Sequence, residues 1–137
     1  MEKIIWNDQF SVGVKEMDVQ HQKIIRMFNT LVDNAQASAV SEKISEVLTE
    51  MVEYASEHFK CEEQLLSDHA HPDLAQQKIE HREFRRQAGD FCLLASEHNE
   101  QVTHDLINYL NNWWTHHILL EDKKYAALLG EKRNISS

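Results

Sequence analysis

His58 and Glu62 stand four residues apart in Glu57-His58-Phe59-Lys60-Cys61-Glu62-Glu63, so a helix sets both side chains on one face, one turn apart. That face is otherwise apolar. Ile44, Leu48, Met51, Ala55, His58, Glu62 and Leu65 alternate at three and four residues, the seam of a bundle helix. An imidazole and a carboxylate in such a seam must be paired, hydrogen-bonded or bound to a metal, because burying them bare costs several kcal/mol. Three other stretches repeat the pattern: His21 with Ile24, Phe28, Leu31 and Ala35; His81 with Leu74, Gln77, Phe84, Ala88, Phe91 and Ala95; His117 with Leu106, Leu110, Trp113 and Leu120. One histidine on an apolar stripe is the ordinary mark of a satisfied core residue. Four of them on four helices carry a desolvation cost that a metal would remove. Imidazole and carboxylate without thiolate disfavour a closed structural zinc site. They suit two six-coordinate ions sharing carboxylates, with iron the favoured occupant. Asp122 follows His117 by five residues, and an ideal helix turns it about 140° away. Two metals, a bridging role or a loosened helix end would each bring it back.

The elements that position these residues read as four helices. Residues 1–17, with Trp6, Phe10, Val12, Gly13 and Val14, lack helical periodicity and read as an extended arm across the bundle. Asp18 is a candidate N-cap for a helix from about Val19 to Ala35. A polar break from Gln36 to Ser41 leads to a second helix, capped by Ser41 and reaching about Leu66. Ser67 to His71 form a loop, and Pro72 suits the first position of the third helix. Gly89 weakens that helix locally, but its seam continues. Ser96-Glu97-His98-Asn99 connects to the fourth helix, which stops near Gly130 and leaves a tail at 131–137. Long helices with short connections pack as an all-α, up-down-up-down antiparallel four-helix bundle, here over 18–130 of a single domain.

Composition narrows the function classes. With 137 residues the chain supports one core and is short for two. A net charge of −9 argues against nucleic acid and anionic membrane surfaces. No stretch is long and uncharged enough to span a membrane, and the first residues hold no apolar run of signal-peptide length, so a cytoplasmic protein is expected. Cys61 and Cys92 lack CxxC spacing and read as free thiols. His69, His71 and His98 read as solvated loop residues, and His104 and His116 as surface residues.

The spaced motifs match a known pattern. Trp6…Val12-Gly13-Val14, Asp18-x-Gln20-His21, His58-Phe59-x-x-Glu62-Glu63, His81-x-x-Phe84 and Trp113-x-x-x-His117-Ile118-x-x-x-Asp122-x-x-Tyr125 occur in order over nearly the whole chain. In these the chain resembles the hemerythrins, specifically the single-domain bacterial form, bacteriohemerythrin. The resemblance implies two non-heme irons with an oxo or hydroxo bridge. His21 and His58 would serve the iron that keeps an open position for O₂. His81 and His117 would serve the other, with Glu62 and Asp122 as bridging carboxylates. O₂ would take two electrons and the bridge's proton, and be held reversibly as a hydroperoxide. An oxygen storage, delivery or sensing protein is expected, monomeric and not an enzyme.

One ligand position departs from the family. His-x-x-x-His on the third helix is here Gln77-x-x-x-His81. Gln77 lies on the seam at the right spacing, so either its amide oxygen ligates weakly or the position is open or water-filled. Both cases predict weaker iron retention and faster autoxidation. They also keep a second class in view: a di-iron enzyme or redox protein reacting with peroxide or nitric oxide. A third is an iron-handling or signalling module. Against the enzyme, histidines outnumber carboxylates, unlike the carboxylate-rich oxidising di-iron bundles. Ile24, Phe28 and Trp113 are core residues that could also keep the site dry. Glu63 reads as solvated or supporting a ligand, and Tyr125 as packing over the site.

Overall fold

Most positions of the four seams line one shared interior, but Leu65, where Leu66 is buried instead, and Leu74 and Phe91 are only half-buried. The computed structural model describes residues 3–36, 41–94 and 100–127. The Ser41 side chain, the break at 37–40, Ala95, the connection Ser96 to Asn99, the stop at Gly130 and the tail 131–137 lie outside the described residues. Helix α1 spans Lys15–Gln36, α2 Ser41–Asp68, α3 Leu74–Leu94 and α4 Glu100–His116. A π-helical turn, His117–Asp122, continues α4 into a last helical stretch at 123–127. Each of α1 and α3 packs against both α2 and α4, the neighbour pattern of an up-down-up-down bundle. Ile24, Phe28, Leu31, Leu48, Met51, Phe59, Phe84, Leu106 and Leu110 are fully buried between them. Taking such side chains out of water is worth about 1.5–3 kcal/mol each, so packing holds helices that would be marginal alone.

Three sequence expectations are corrected. Helix α1 begins at Lys15, four residues before the expected start, so Asp18 lies inside its first turn and is not the N-cap. Its carboxylate instead holds the arm, accepting from Ser11 Oγ at 2.6 Å and Val12 N at 2.8 Å. The arm is further tied by reciprocal bonds between Ile4 and the Asn29 amide, both 2.9 Å. It also contains a 3₁₀ turn at Asp8–Phe10 and a left-handed residue, Gly13 (φ 73°), the conformation glycine adopts without strain. In the fourth helix Trp114 is buried and Trp113 only half so, while Leu120 is exposed. The π turn shifts the register, so the inward face continues through Ile118, Asp122 and Tyr125.

The third correction concerns the loop before α3. His71 is buried and His69 half-buried, not solvated. Helix α2 ends with His71 N donating to Leu66 O (2.9 Å) and Ala70 N to Ser67 O (3.1 Å), around Ala70 at φ 48°. This is the Schellman pattern, and both Leu66 and His71 are buried at it. His71 Nδ1 accepts from Asp73 N at 3.0 Å, which settles the turn into α3 at Leu74, two residues past Pro72. A left-handed alanine is strained by about 1 kcal/mol. Ala70→Gly should therefore raise unfolding stability by about 0.5–1 kcal/mol in urea titration. Destabilisation would contradict this account of the cap.

Candidate metal centre

Seven side chains from all four helices meet in the interior: His21 from α1, His58 and Glu62 from α2, Gln77 and His81 from α3, His117 and Asp122 from the π turn. All are buried to 1% exposure or less. The α2 pair share a face because helix spacing puts them there. His117 and Asp122 share one because the π turn sets residues five apart in line. The loosened helix resolves the spacing that an ideal α-helix forbids.

Glu62 lies at the centre with its two oxygens facing opposite ways. Oε2 is 3.2 Å from His21 Nε2 and 3.3 Å from His58 Nε2. Oε1 is 3.0 Å from His81 Nε2 and 3.2 Å from His117 Nε2. Asp122 divides in the same way, with Oδ2 3.1 Å from His21 Nε2 and Oδ1 3.1 Å from His117 Nε2. Glu62 thus spans two pairs of imidazoles, and Asp122 spans one imidazole of each pair. His21, His58 and Glu62 form one group able to hold a cation, and Glu62, His81 and His117 another.

The supporting contacts aim the rings inward. His58 Nδ1 lies 2.7 Å from Gln20 Oε1, and His81 Nδ1 2.9 Å from Glu63 Oε2. Both acceptors hold the proton on Nδ1 and leave the Nε2 lone pair facing the cage, the outer-shell arrangement of metal-binding histidines. Phe59 stacks on His81 (centroids 4.0 Å apart, planes at 10°), and Trp113 on His117 (4.5 Å, 15°). Tyr125 donates its hydroxyl to Glu62 Oε2 at 3.0 Å, so it bonds to the site directly. Gln20 stands in the Asp18-x-Gln20-His21 motif, but nothing in the sequence pairs it with His58, 38 residues away.

The charges show what the cage lacks. Burial works to lower the His21 pKa, but Asp122 and Glu62 outweigh it and hold the ring at about 9. Burial brings His58 down to about 4, against the pull of Glu62. Burial raises Asp122 to about 6, with the charge of Glu62 acting the same way. Burial opposes ionisation of Glu62 too, yet His58, His117 and His21 hold it well below the usual carboxylate range. Without a cation, protons must therefore supply the positive charge. Asp122 Oδ2 and His58 Nε2 face the cage with only the ion-pair contacts to His21 and Glu62 given above. His81 Nε2 and His117 Nε2 point at each other across 3.3 Å. Lone pairs and carboxylate oxygens so placed fit metal ions.

Gln77 joins the cluster differently. Its Nε2 donates to Asp122 Oδ1 at 3.0 Å, while its buried carbonyl Oε1 has no hydrogen-bond partner. Cys61 is exposed and takes no part, as its register implies. A further group, Glu80, His116 and Glu121, lies outside the cage in partly exposed positions. Each is the sequence neighbour of a cage residue. Burial and the nearby Glu121 raise the Glu80 carboxyl to about 7.

Comparison with known proteins agrees with this geometry. The family model described as hemerythrin HHE cation binding domain matches residues 12–129. The bacteriohemerythrin of Stenotrophomonas maltophilia (strain R551-3) is 32% identical over 126 residues, 92% of this chain and 81% of that protein. The bacteriohemerythrin of Clostridium acetobutylicum is 26% identical over 125 residues, 88% of this chain and 97% of that one. The crystal structure of wild-type hemerythrin superposes with a TM-score of 0.80 at 27% identity, covering 92% of this chain and 97% of that chain. The chain belongs to the hemerythrin HHE cation-binding family.

Proposed function

We propose that the cage holds two iron ions and that the protein binds O₂ reversibly, as a storage, delivery or sensing protein. One observation carries the reading: Glu62 and Asp122 each turn one oxygen toward His21 and the other toward His117. A carboxylate serving one metal has no need of donors on both sides. Iron in both positions supplies the two electrons that reversible O₂ binding draws on.

The chain's own residues do the rest. Glu62 and Asp122 fix the separation of the two positions, because both are held by elements that cannot slide independently in a packed bundle. Gln20 and Glu63 keep His58 and His81 in the metal-binding tautomer. Tyr125 holds Glu62 Oε2 and stays a neutral phenol, since burial and then Glu62 push its pKa well above 10. Ile24, Phe28, Phe59 and Trp114, buried to 1% or less, exclude water that would carry protons in or let a reduced oxygen species leave. Histidine outnumbers carboxylate in the cage, which favours binding over oxidising chemistry. Gln77, where family members have a histidine, keeps a redox reaction with peroxide or nitric oxide as the second reading.

The deciding experiment loads the protein with Fe²⁺ and measures iron per chain and visible absorption through a cycle of O₂ exposure and removal. Two irons and a charge-transfer band that appears and fades with O₂ are expected. Two irons that pass directly to a stable diferric spectrum would favour the second reading. A single iron, or none, would contradict both.

Loading should also move protons. Metal binding needs His21 neutral, yet without metal its ring stays protonated up to about pH 9. Below that pH Fe²⁺ therefore displaces protons, and apparent affinity rises with pH until the ring deprotonates unaided. Calorimetry in two buffers of different ionisation enthalpy should give different heats. Identical heats would contradict this charge balance.

A further inference from the structure

The amide of Gln77 is fully buried one helical turn before His81, and its nitrogen lies 3.0 Å from Asp122 Oδ1. The carboxylate dictates which end of the amide it meets. Turned over, the amide would set its carbonyl against an anionic oxygen, two acceptors with no proton between them. So the end of Gln77 that faces the cage is its donor end, and an amide N–H₂ has no lone pair to give a metal. The carbonyl at the other end is buried without a hydrogen-bond partner, a costly state unless a donor meets it. His81 and His117 are then the imidazoles left on that side, as His21 and His58 are on the other.

We propose that Gln77 is a hydrogen-bond donor to Asp122 and not a metal ligand, so that the metal held by His81 and His117 keeps a position for a small exogenous ligand, water or a small anion. Exchangeable ligands then bind at both metals, not one. Gln77 acts as a positioning residue, steadying the carboxylate that both metals share. This inference rests on the di-iron reading above.

The test counts azide, a small anion that ligates ferric iron, on diferric protein whose iron content has been measured. Wild type should take two azides per chain at saturation by calorimetric titration. Gln77→His supplies an imidazole for the vacant position and should take one. Gln77→Leu, which offers neither donor nor ligand, should still take two while releasing iron to a chelator about tenfold faster as Asp122 loses its N–H partner. One azide on wild type would overturn the proposal. With two on Gln77→Leu, that result would show the amide oxygen occupying the position. The wild-type count decides even if a variant fails to fold. Wild type holding fewer than two irons would overturn the di-iron reading together with this one, whereas two irons and one azide would overturn this one alone.

Discussion

A dry interior cannot hold two carboxylates unless positive charge is placed within about 3 Å of their oxygens. Everything around Glu62 and Asp122 answers that demand. Four imidazoles from four segments converge on them, and metal-free, at least His21 must keep a proton to balance the charge. Protons and metal ions compete for the same lone pairs, so the charge that protons supply there is the charge a bound cation would supply. The fold is the device that brings the four imidazoles together. A bundle contributes one inward stripe per helix, and each stripe interrupts its apolar run once or twice at the same level.

The π turn is the cost of adding Asp122. An α-helix can present His117 or a residue four further on, not one five further on. Widening one turn aligns His117 with Asp122 and then carries Tyr125 inward to bond Glu62. The aromatic shell fixes what the hydrogen bonds leave free. Phe59 on His81 and Trp113 on His117 restrict ring rotation, and second acceptors on His58 and His81 restrict the tautomer. A cage built this way holds its geometry.

Much of this was legible in the sequence. The spacing of Ile44 through Glu62 defined one helix and its inward face, and histidines at equivalent depth in three other seams marked a shared centre. The departure at Gln77 was equally visible, since its register required no structure. Other features were hidden because they depend on tertiary geometry. Nothing local distinguishes the π turn from a continued α-helix, so Leu120 read as core and Asp122 as out of line. Asp18 read as a cap because an acidic residue before an apolar run usually is one, and its partners Ser11 and Val12 lie on an arm with no periodicity. Ala70 hid the end of α2, because the left-handed position that normally announces itself as glycine is here an alanine. With that cap unseen, His71 read as solvated.

The central claim is that two metals sit side by side, joined by Glu62 and Asp122. The most direct test is anomalous diffraction at the iron edge from crystals of the iron-loaded protein. The account predicts two anomalous peaks, one beside His21 and His58 and the other beside His81 and His117, with both carboxylates spanning them. A single peak in the cage, or two with either carboxylate bound to one metal alone, would contradict it.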